Sequence, residues 1–356
     1  MKFDNSKPIK PKSALIAMSG GIDSTVAALL MQQDGAECAG ATMKVFEEGA
    51  KTVADARAVA LSLGMTFYEF DFMRQFAEDV INPFIAEYRR GHTPNPCIIC
   101  NRHLKFGSFL DKALELGMDC IVTGHYVQNE CNENGRYLLK KGADAAKDQS
   151  YVLYSLKQEQ LKHIKFPLGE LTKPEIRKIA EEQGFVNAKK KESQDICFVP
   201  KNQTGDYADF IEKYTGKTFP DGDFVDTSGN ILGRHKGIIR YTIGQRRGLG
   251  LALKEPMYVL DKNVDNNTVI LCRDEELYAK SLTAHDINLI PFDRIENRIR
   301  IKAKVRYNQT EQPAVVEQTG DDTLHIEFEN PQRAITRGQA VVLYDGDVVV
   351  GGGTIS

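Results

Sequence analysis

The chain has 356 residues, 42% of them apolar and 27% charged, with a formal net charge of −3. This is the composition of a soluble protein of two or three domains. No apolar run nears the ~18 residues of a membrane span, and the near-neutral charge leaves any nucleic-acid surface to local patterning. Seven scattered cysteines, an odd number, do not make a secreted disulfide framework, and Met1 to Lys12 carries no apolar core like that of a signal peptide. A reducing cytoplasm is the expected compartment, with no membrane partner.

From Ser13 to about Ile121 the pattern alternates strand and helix. Apolar runs at 14–18, 38–43, 67–70 and 120–122 read as strands, and the stretches 23–33, 52–63, 72–88 and 105–116 as helices. Val26, Leu29 and Leu30 are the expected buried stripe of the first helix. Such alternation predicts an α/β fold whose parallel sheet is covered on both faces, with ligands beyond the carboxyl ends of its strands. Two prolines in 91–100 predict a rigid, non-helical loop. Asn134-Gly135 predicts a hairpin turn, and Thr172 with Glu175 a capping box opening a helix over 174–183. Beyond Phe198 the text becomes short strands and turns, with strands paired around Asn266-Asn267. From Leu282 every segment reads as strand, which predicts a barrel. Three domains are expected: 1–203, a small central β-rich unit at 204–278, and a C-terminal β-barrel at 279–356.

The first strand stops at Ser19-Gly20-Gly21-Ile22-Asp23-Ser24 and a helix follows. A two-glycine turn at a helix N-terminus exposes backbone N–H groups and the positive end of the helix dipole, which suits an anion. The Gly-Lys-Ser/Thr ending of a P-loop is absent, so no lysine reaches forward from this turn. Cys97-Ile98-Ile99-Cys100 supports three readings: half of a zinc site with His92 and His103, a redox pair, or coincidence. Arg102, Lys105 and Lys189-Lys190-Lys191 upstream of Cys197 would lower thiol pKa values. Cys38, Cys120, Cys131 and Cys272 read as small hydrophobes, Cys131 being in a polar turn. Arg298, Arg300, Lys302, Lys304 and Arg306 alternate with apolar residues, so period two turns them to one strand face and predicts an anionic partner.

Ser19 through Ser24 resembles the PP-loop of the ATP pyrophosphatases. Thr93-Pro94-Asn95-Pro96-Cys97-Ile98-Ile99-Cys100-Asn101-Arg102-His103-Leu104-Lys105-Phe106 resembles the cysteine loop of the tRNA-specific 2-thiouridylases, and 188–198 their second-cysteine segment. Thr123-Gly124-His125-Tyr126, Lys147-Asp148-Gln149-Ser150-Tyr151 and 242–250 match further blocks of that family, in order over nearly the whole chain. The resemblance implies ATP-dependent replacement of the wobble uridine's C2 oxygen by sulfur. It implies ATP and Mg²⁺, tRNA as partner, and a protein that relays persulfide sulfur. Cys197 would carry a persulfide, and Cys100 would attack C2 or resolve the persulfide through a disulfide.

The same resemblance places ATP at Ala17, Met18, Ser19, Gly20, Gly21, Ile22, Asp23, Ser24, Met43 and Gly124. It places the target base at Asn95, Pro96 and Cys97, and tRNA at His125, Lys147, Asp148, Gln149, Arg306, Tyr307 and Gln339. Many members of the family have aspartate at the position of Cys97. That substitution yields three potential thiolate ligands, Cys97, Cys100 and Cys197, so an iron–sulfur cluster is the alternative to a persulfide. The rival functions are an adenylating amidotransferase or ligase, which needs neither cysteine, and an RNA-binding protein that releases no pyrophosphate.

Overall fold

The computed structural model describes residues 11–47, 50–185, 196–199 and 207–356. Lys189 to Lys191 and the rest of 186–195 lie outside the described residues.

Strands β1 (Ser13–Ala17), β2 (Glu37–Lys44), β3 (Phe67–Asp71) and β4 (Cys120–Val122) follow the expected alternation. A hairpin, β5 (Val127–Cys131) and β6 (Tyr137–Lys141), precedes the two-residue β7 (Ile164–Lys165). Cys131 therefore ends a strand and is not in the turn. The first sheet has the order β3-β2-β1-β4-β7, and every pairing in it is parallel. The chain winds outward from β1 to β3, then returns to β4 on the other side of β1. The crevice at the carboxyl ends of β1 and β4 is therefore the topological switch point, where such sheets bind ligands.

Helix α1 (Ile22–Gln33) buries Ile22, Val26, Ala27, Ala28 and Met31, with Ser24 and Thr25. Leu29 and Leu30, expected in the buried stripe, are half-exposed. The reason is that α1 packs both on the sheet and against the Lys173–Glu182 helix, so small residues face the close contacts. Helix α2 (Ala50–Ser62) also packs on the sheet.

One expectation fails in an instructive way. Pro96–Cys100 is helical, with Asn95 as N-cap accepting from the Cys97 N–H at 3.1 Å and Pro96 in the first turn. Proline lacks only an N–H that a helix start leaves unpaired, so it opens a helix here and does not forbid one. The helix runs on as a π-helical stretch, Asn101–Ser108, and an α-helical end, Phe109–Glu115.

The central unit is a four-stranded sheet of β8 (Gly222–Val225), β9 (Ile231–His235), β10 (Tyr258–Asn263) and β11 (Thr268–Cys272), in the order β10-β11-β8-β9. The C-terminal unit contains β12 (Tyr278–Leu289), β13 (Ile299–Lys304), β14 (Gln312–Gly320), β15 (Thr323–Arg333), β16 (Ala340–Asp345) and β17 (Val348–Ile355). These six antiparallel strands close where β12 meets β17, with Ala284 opposite Ile355. The β5–β6 hairpin joins this barrel's sheet, Lys140 pairing with Val348. Nothing in the hairpin's own sequence announces that it leaves its parent domain.

Candidate active site

The Ser19–Ser24 turn lies at the carboxyl end of β1, at the switch point. Gly20 has φ +66°, and a Cβ there would sit 2.7 Å from Asp55 Cβ, so conformation and space both demand glycine. Gly21 is the N-cap, and no side chain caps α1. Ser24 Oγ and Thr25 Oγ1 donate to the Gly21 carbonyl at 3.1 and 2.9 Å, and the Ser19 N–H donates to Ser24 Oγ at 3.3 Å. Asp23 is not a cap. Its Oδ1 accepts from the Tyr126 hydroxyl at 2.6 Å and from Lys173 Nζ at 2.7 Å. Ile22 and Met18 are buried, while Ala17 and Met43 are half-buried against the core.

Directly across the crevice, the segment after β4 faces two ways within two residues. Gly124 presses on the start of α1, where a Cβ would meet the Asp23 carbonyl carbon at 2.8 Å and the Ser24 nitrogen at 3.0 Å. His125 turns to the other side, its Nδ1 2.7 Å from Thr123 Oγ1 and its Nε2 3.4 Å from Lys105 Nζ. An ammonium cannot accept, so Nε2 is the acceptor and Nδ1 carries the proton. Burial, then the Lys105 charge, hold His125 well below the usual imidazole range, and it is neutral.

Lys105 belongs to the π-helical stretch, and that geometry matters. In an α-helix, residues five apart stand about 140° apart around the axis. Hydrogen bonding from i to i+5 widens the turn and narrows that angle, and the Lys105 charge acts on the Cys100 thiol. Cys97 and Cys197 are exposed and Cys100 is half-buried; all seven cysteines are free. Although solvent reaches Cys97 and Cys197, burial by surrounding protein is the largest influence on all three thiols and raises each one. The charge of Lys105 opposes that rise in every case, while Cys97 adds to the rise of Cys100, and Cys100 and Cys97 add to that of Cys197. Three cysteines up to 100 positions apart in sequence therefore share one electrostatic neighbourhood around one lysine. Among the described residues, no group of three or more His, Cys, Asp or Glu side chains is placed to hold a metal ion. The three thiols do not fit a preformed cluster site. His92, the zinc candidate, bonds Glu87 Oε2 at 2.6 Å.

The other expected residues sit where the domains meet. The Tyr307 hydroxyl donates to the Asp148 carbonyl at 3.1 Å, and burial, Asp148 and Cys97 raise its phenol. Gln339 Nε2 donates to the Thr93 carbonyl at 2.5 Å, tying the barrel to the segment that leads into Asn95 and the buried Pro96. Asp148 accepts from Gly142 and Ser150, and Gln149 from the Tyr126 N–H, so with the half-buried Lys147 they shape their own loop. Arg306 Nη2 donates to the Ile243 and Ala334 carbonyls and to Thr336 Oγ1, joining the central unit to the barrel.

The basic stripe on β13 is not the uncompensated face expected from the sequence. Arg298 pairs with Glu317 at 2.7 Å and Arg300 approaches Glu329 at 4.0 Å, acids supplied by β14 and β15. Lys304 lies over the rings of Tyr151 and Tyr307, 5.8 and 5.6 Å from their centroids. Sequence reasoning also missed Tyr126 and Lys173 as partners of Asp23. Lys173 follows a capping threonine, and nothing in its spacing links it to a residue 150 positions earlier.

Three family models match successive parts of the chain: "tRNA methyl transferase HUP domain" at 12–201, "tRNA methyl transferase PRC-barrel domain" at 208–273 and "Aminomethyltransferase beta-barrel domain" at 279–355. The chain is 48% identical to tRNA-specific 2-thiouridylase MnmA of Clostridioides difficile (strain 630), covering 97% of this chain and 98% of that one. It is 49% identical to the MnmA of Acetivibrio thermocellus, with 97% and 99% covered. To MnmA 1 of Caldanaerobacter subterraneus subsp. tengcongensis the identity is 48%, with 96% and 97% covered. With two-gly turn, paired cysteines and full-length identity in agreement, the chain belongs to the tRNA-specific 2-thiouridylase family.

Proposed function

We propose that this protein is an ATP-dependent tRNA 2-thiouridylase that adenylates the C2 oxygen of the wobble uridine and replaces it with persulfide sulfur. The observation that carries the reading is the segment Thr123–His125. Gly124 is packed on the nucleotide turn and His125 on the lysine of the cysteine cluster, so activation and sulfur delivery stand at one point. The domain descriptions mention methyl transfer, but thiols grouped beside a PP-loop suit thiolation.

ATP suits the turn, because Gly20 and Gly124 let the neighbouring backbone pack closely around it and no side chain caps the N-terminus of α1, which leaves its N–H groups to an anion. Ser19, Gly20, Gly21 and Ser24 would hold the phosphates, with Ala17, Met18 and Met43 on the nucleoside side. Asp23 is the carboxylate within reach of a Mg²⁺ arriving with the triphosphate, an ion that takes one or two carboxylates plus phosphate oxygens. ATP supplies the leaving group, since adenylated O2 departs as AMP. The remaining work belongs to side chains.

Cys197 receives the outer sulfur from a persulfide relay protein, and that sulfur bonds to C2 as AMP leaves. The Cys100 thiolate then attacks Cys197 Sγ. This breaks the bond to the transferred sulfur, leaves 2-thiouridine and closes a Cys100–Cys197 disulfide, which a thiol reductant reopens. Lys105 keeps a share of these thiols ionised, and neutral His125 holds Lys105 in place. Asn95, Pro96 and Cys97 wall the pocket for the extruded base, with Lys147, Asp148, Gln149, Arg306, Tyr307 and Gln339 around it on the tRNA side.

The test is mass analysis of nucleosides from unmodified tRNA incubated anaerobically with protein, ATP, Mg²⁺ and a persulfide donor. Wobble 2-thiouridine with stoichiometric AMP and pyrophosphate is expected. Bound but unmodified tRNA with no pyrophosphate would overturn the reading.

A further inference from the structure

Lys173 occupies the first turn of the Lys173–Glu182 helix, between Thr172 and Pro174. It is only 5% exposed, yet its Nζ lies 2.7 Å from Asp23 Oδ1. Tyr126 donates to that same oxygen at 2.6 Å, and the Lys173 N–H is fixed by Asp144 Oδ2 at 2.9 Å. A pair with a buried lysine and a half-buried carboxylate is a poor device for stability, because desolvation offsets much of the attraction, and apolar residues would tie α1 to this helix as well. Its position suggests another use. Asp23 is the second residue of α1, two residues on from the Gly21 N-cap that opens the anion site.

The nucleotide turn carries no lysine of its own, and a helix N-terminus offers only about half a positive charge. A triphosphate held there needs a full cation. The fold brings one from 150 residues downstream and parks it on the carboxylate at the mouth of the turn.

We propose that Lys173 is the phosphate-binding lysine of this site, held by Asp23 until the outer phosphates of ATP arrive and take its charge. In this arrangement Asp23 and Lys173 exchange partners together: the carboxylate turns to the incoming cation and the ammonium to phosphate oxygens. Tyr126 keeps Asp23 oriented while its partner changes. The proposal rests on the nucleotide reading above.

Equilibrium binding of ATP·Mg²⁺, inorganic pyrophosphate and AMP to the intact protein, without tRNA, tests it. Lys173→Met should weaken ATP and pyrophosphate at least about tenfold and AMP less than about twofold, since AMP lacks the outer phosphates. Asp23→Asn removes the competing charge while its amide oxygen still accepts from Tyr126. It should tighten pyrophosphate in the absence of Mg²⁺ by about threefold or more. Equal losses for AMP and ATP, or unchanged ATP affinity, in Lys173→Met would overturn the proposal. Should that variant not fold, failure of Asp23→Asn to tighten pyrophosphate would do the same. Wild-type protein that binds none of the three ligands would overturn the nucleotide reading itself.

Discussion

At the proposed nucleotide end of the site, the framework is the backbone of one turn, Ser19 to Ser24, fixed by the sheet beneath it and by Gly124 above, with Asp23 and Lys173 as its charged side chains. At the sulfur end they are side chains from 97, 100, 105, 125, 197 and 307, brought together by a π-helical stretch, a strand end and the barrel. A turn packed this closely is broken by adding atoms, because a Cβ forces its neighbours apart. A site made of side chains is broken by removing them. The two ends should therefore fail independently and in opposite ways.

The largest separation is expected at the cysteines. Cys197→Ser and Cys100→Ser should each cut thiolation on the order of a thousandfold or more, because no hydroxyl carries or resolves a persulfide. Both should still release AMP and pyrophosphate with tRNA, measured by radiolabelled ATP turnover. Loss of pyrophosphate release as well would mean that the two ends are not separable.

Lys105 comes next. Burial raises all three thiols and Lys105 pulls each down, so the thiolate fraction grows as pH rises and is smaller at any given pH without the lysine. Lys105→Met should slow single-turnover sulfur transfer about ten- to a hundredfold near pH 7, with the gap closing only above pH 9, where these raised thiols begin to ionise. A parallel loss at every pH would show that the lysine acts on the tRNA and not on the thiols.

The reciprocal experiment is Gly124→Ala. A Cβ placed 2.8 Å from the Asp23 backbone must push α1 away, at a cost of about 1–3 kcal/mol. ATP affinity should fall about tenfold while Cys197 still takes up a persulfide at the wild-type rate, followed by intact-protein mass. Slower loading would mean that strain at Gly124 reaches across His125 into the cysteine cluster.

The same contrast explains what the sequence disclosed. The strand, glycine turn and helix at 13–33 are local, and each residue's preference agrees with the final structure. Leu29 and Leu30 misled because a helix covered on two sides does not bury a simple stripe. The proline-rich segment was misread because a proline that forbids a helix interior can also begin one, and only the Asn95 cap distinguishes the cases. The basic run on β13 looked uncompensated because its acids, Glu317 and Glu329, come from neighbouring strands. Lys173 and the β5–β6 hairpin belong to contacts that no local pattern carries.

The smallest effect concerns the join between the barrel and the cysteine segment. Gln339 donates to the Thr93 carbonyl, but the Thr93 N–H is also held by the Arg337 carbonyl at 2.9 Å, so the connection has two strands. Removing one neutral hydrogen bond costs about 1 kcal/mol, or about fivefold in an equilibrium. Gln339→Ala should therefore weaken tRNA binding by about that factor and leave ATP affinity unchanged. Hydrogen exchange in tRNA-free protein distinguishes two causes. Faster exchange at residues 92–97 would mean that the side chain prepares the segment before tRNA arrives. Unchanged exchange with the same loss of tRNA affinity would mean that Gln339 leaves Thr93 to touch the RNA itself, and the join would then be a contact that substrate replaces.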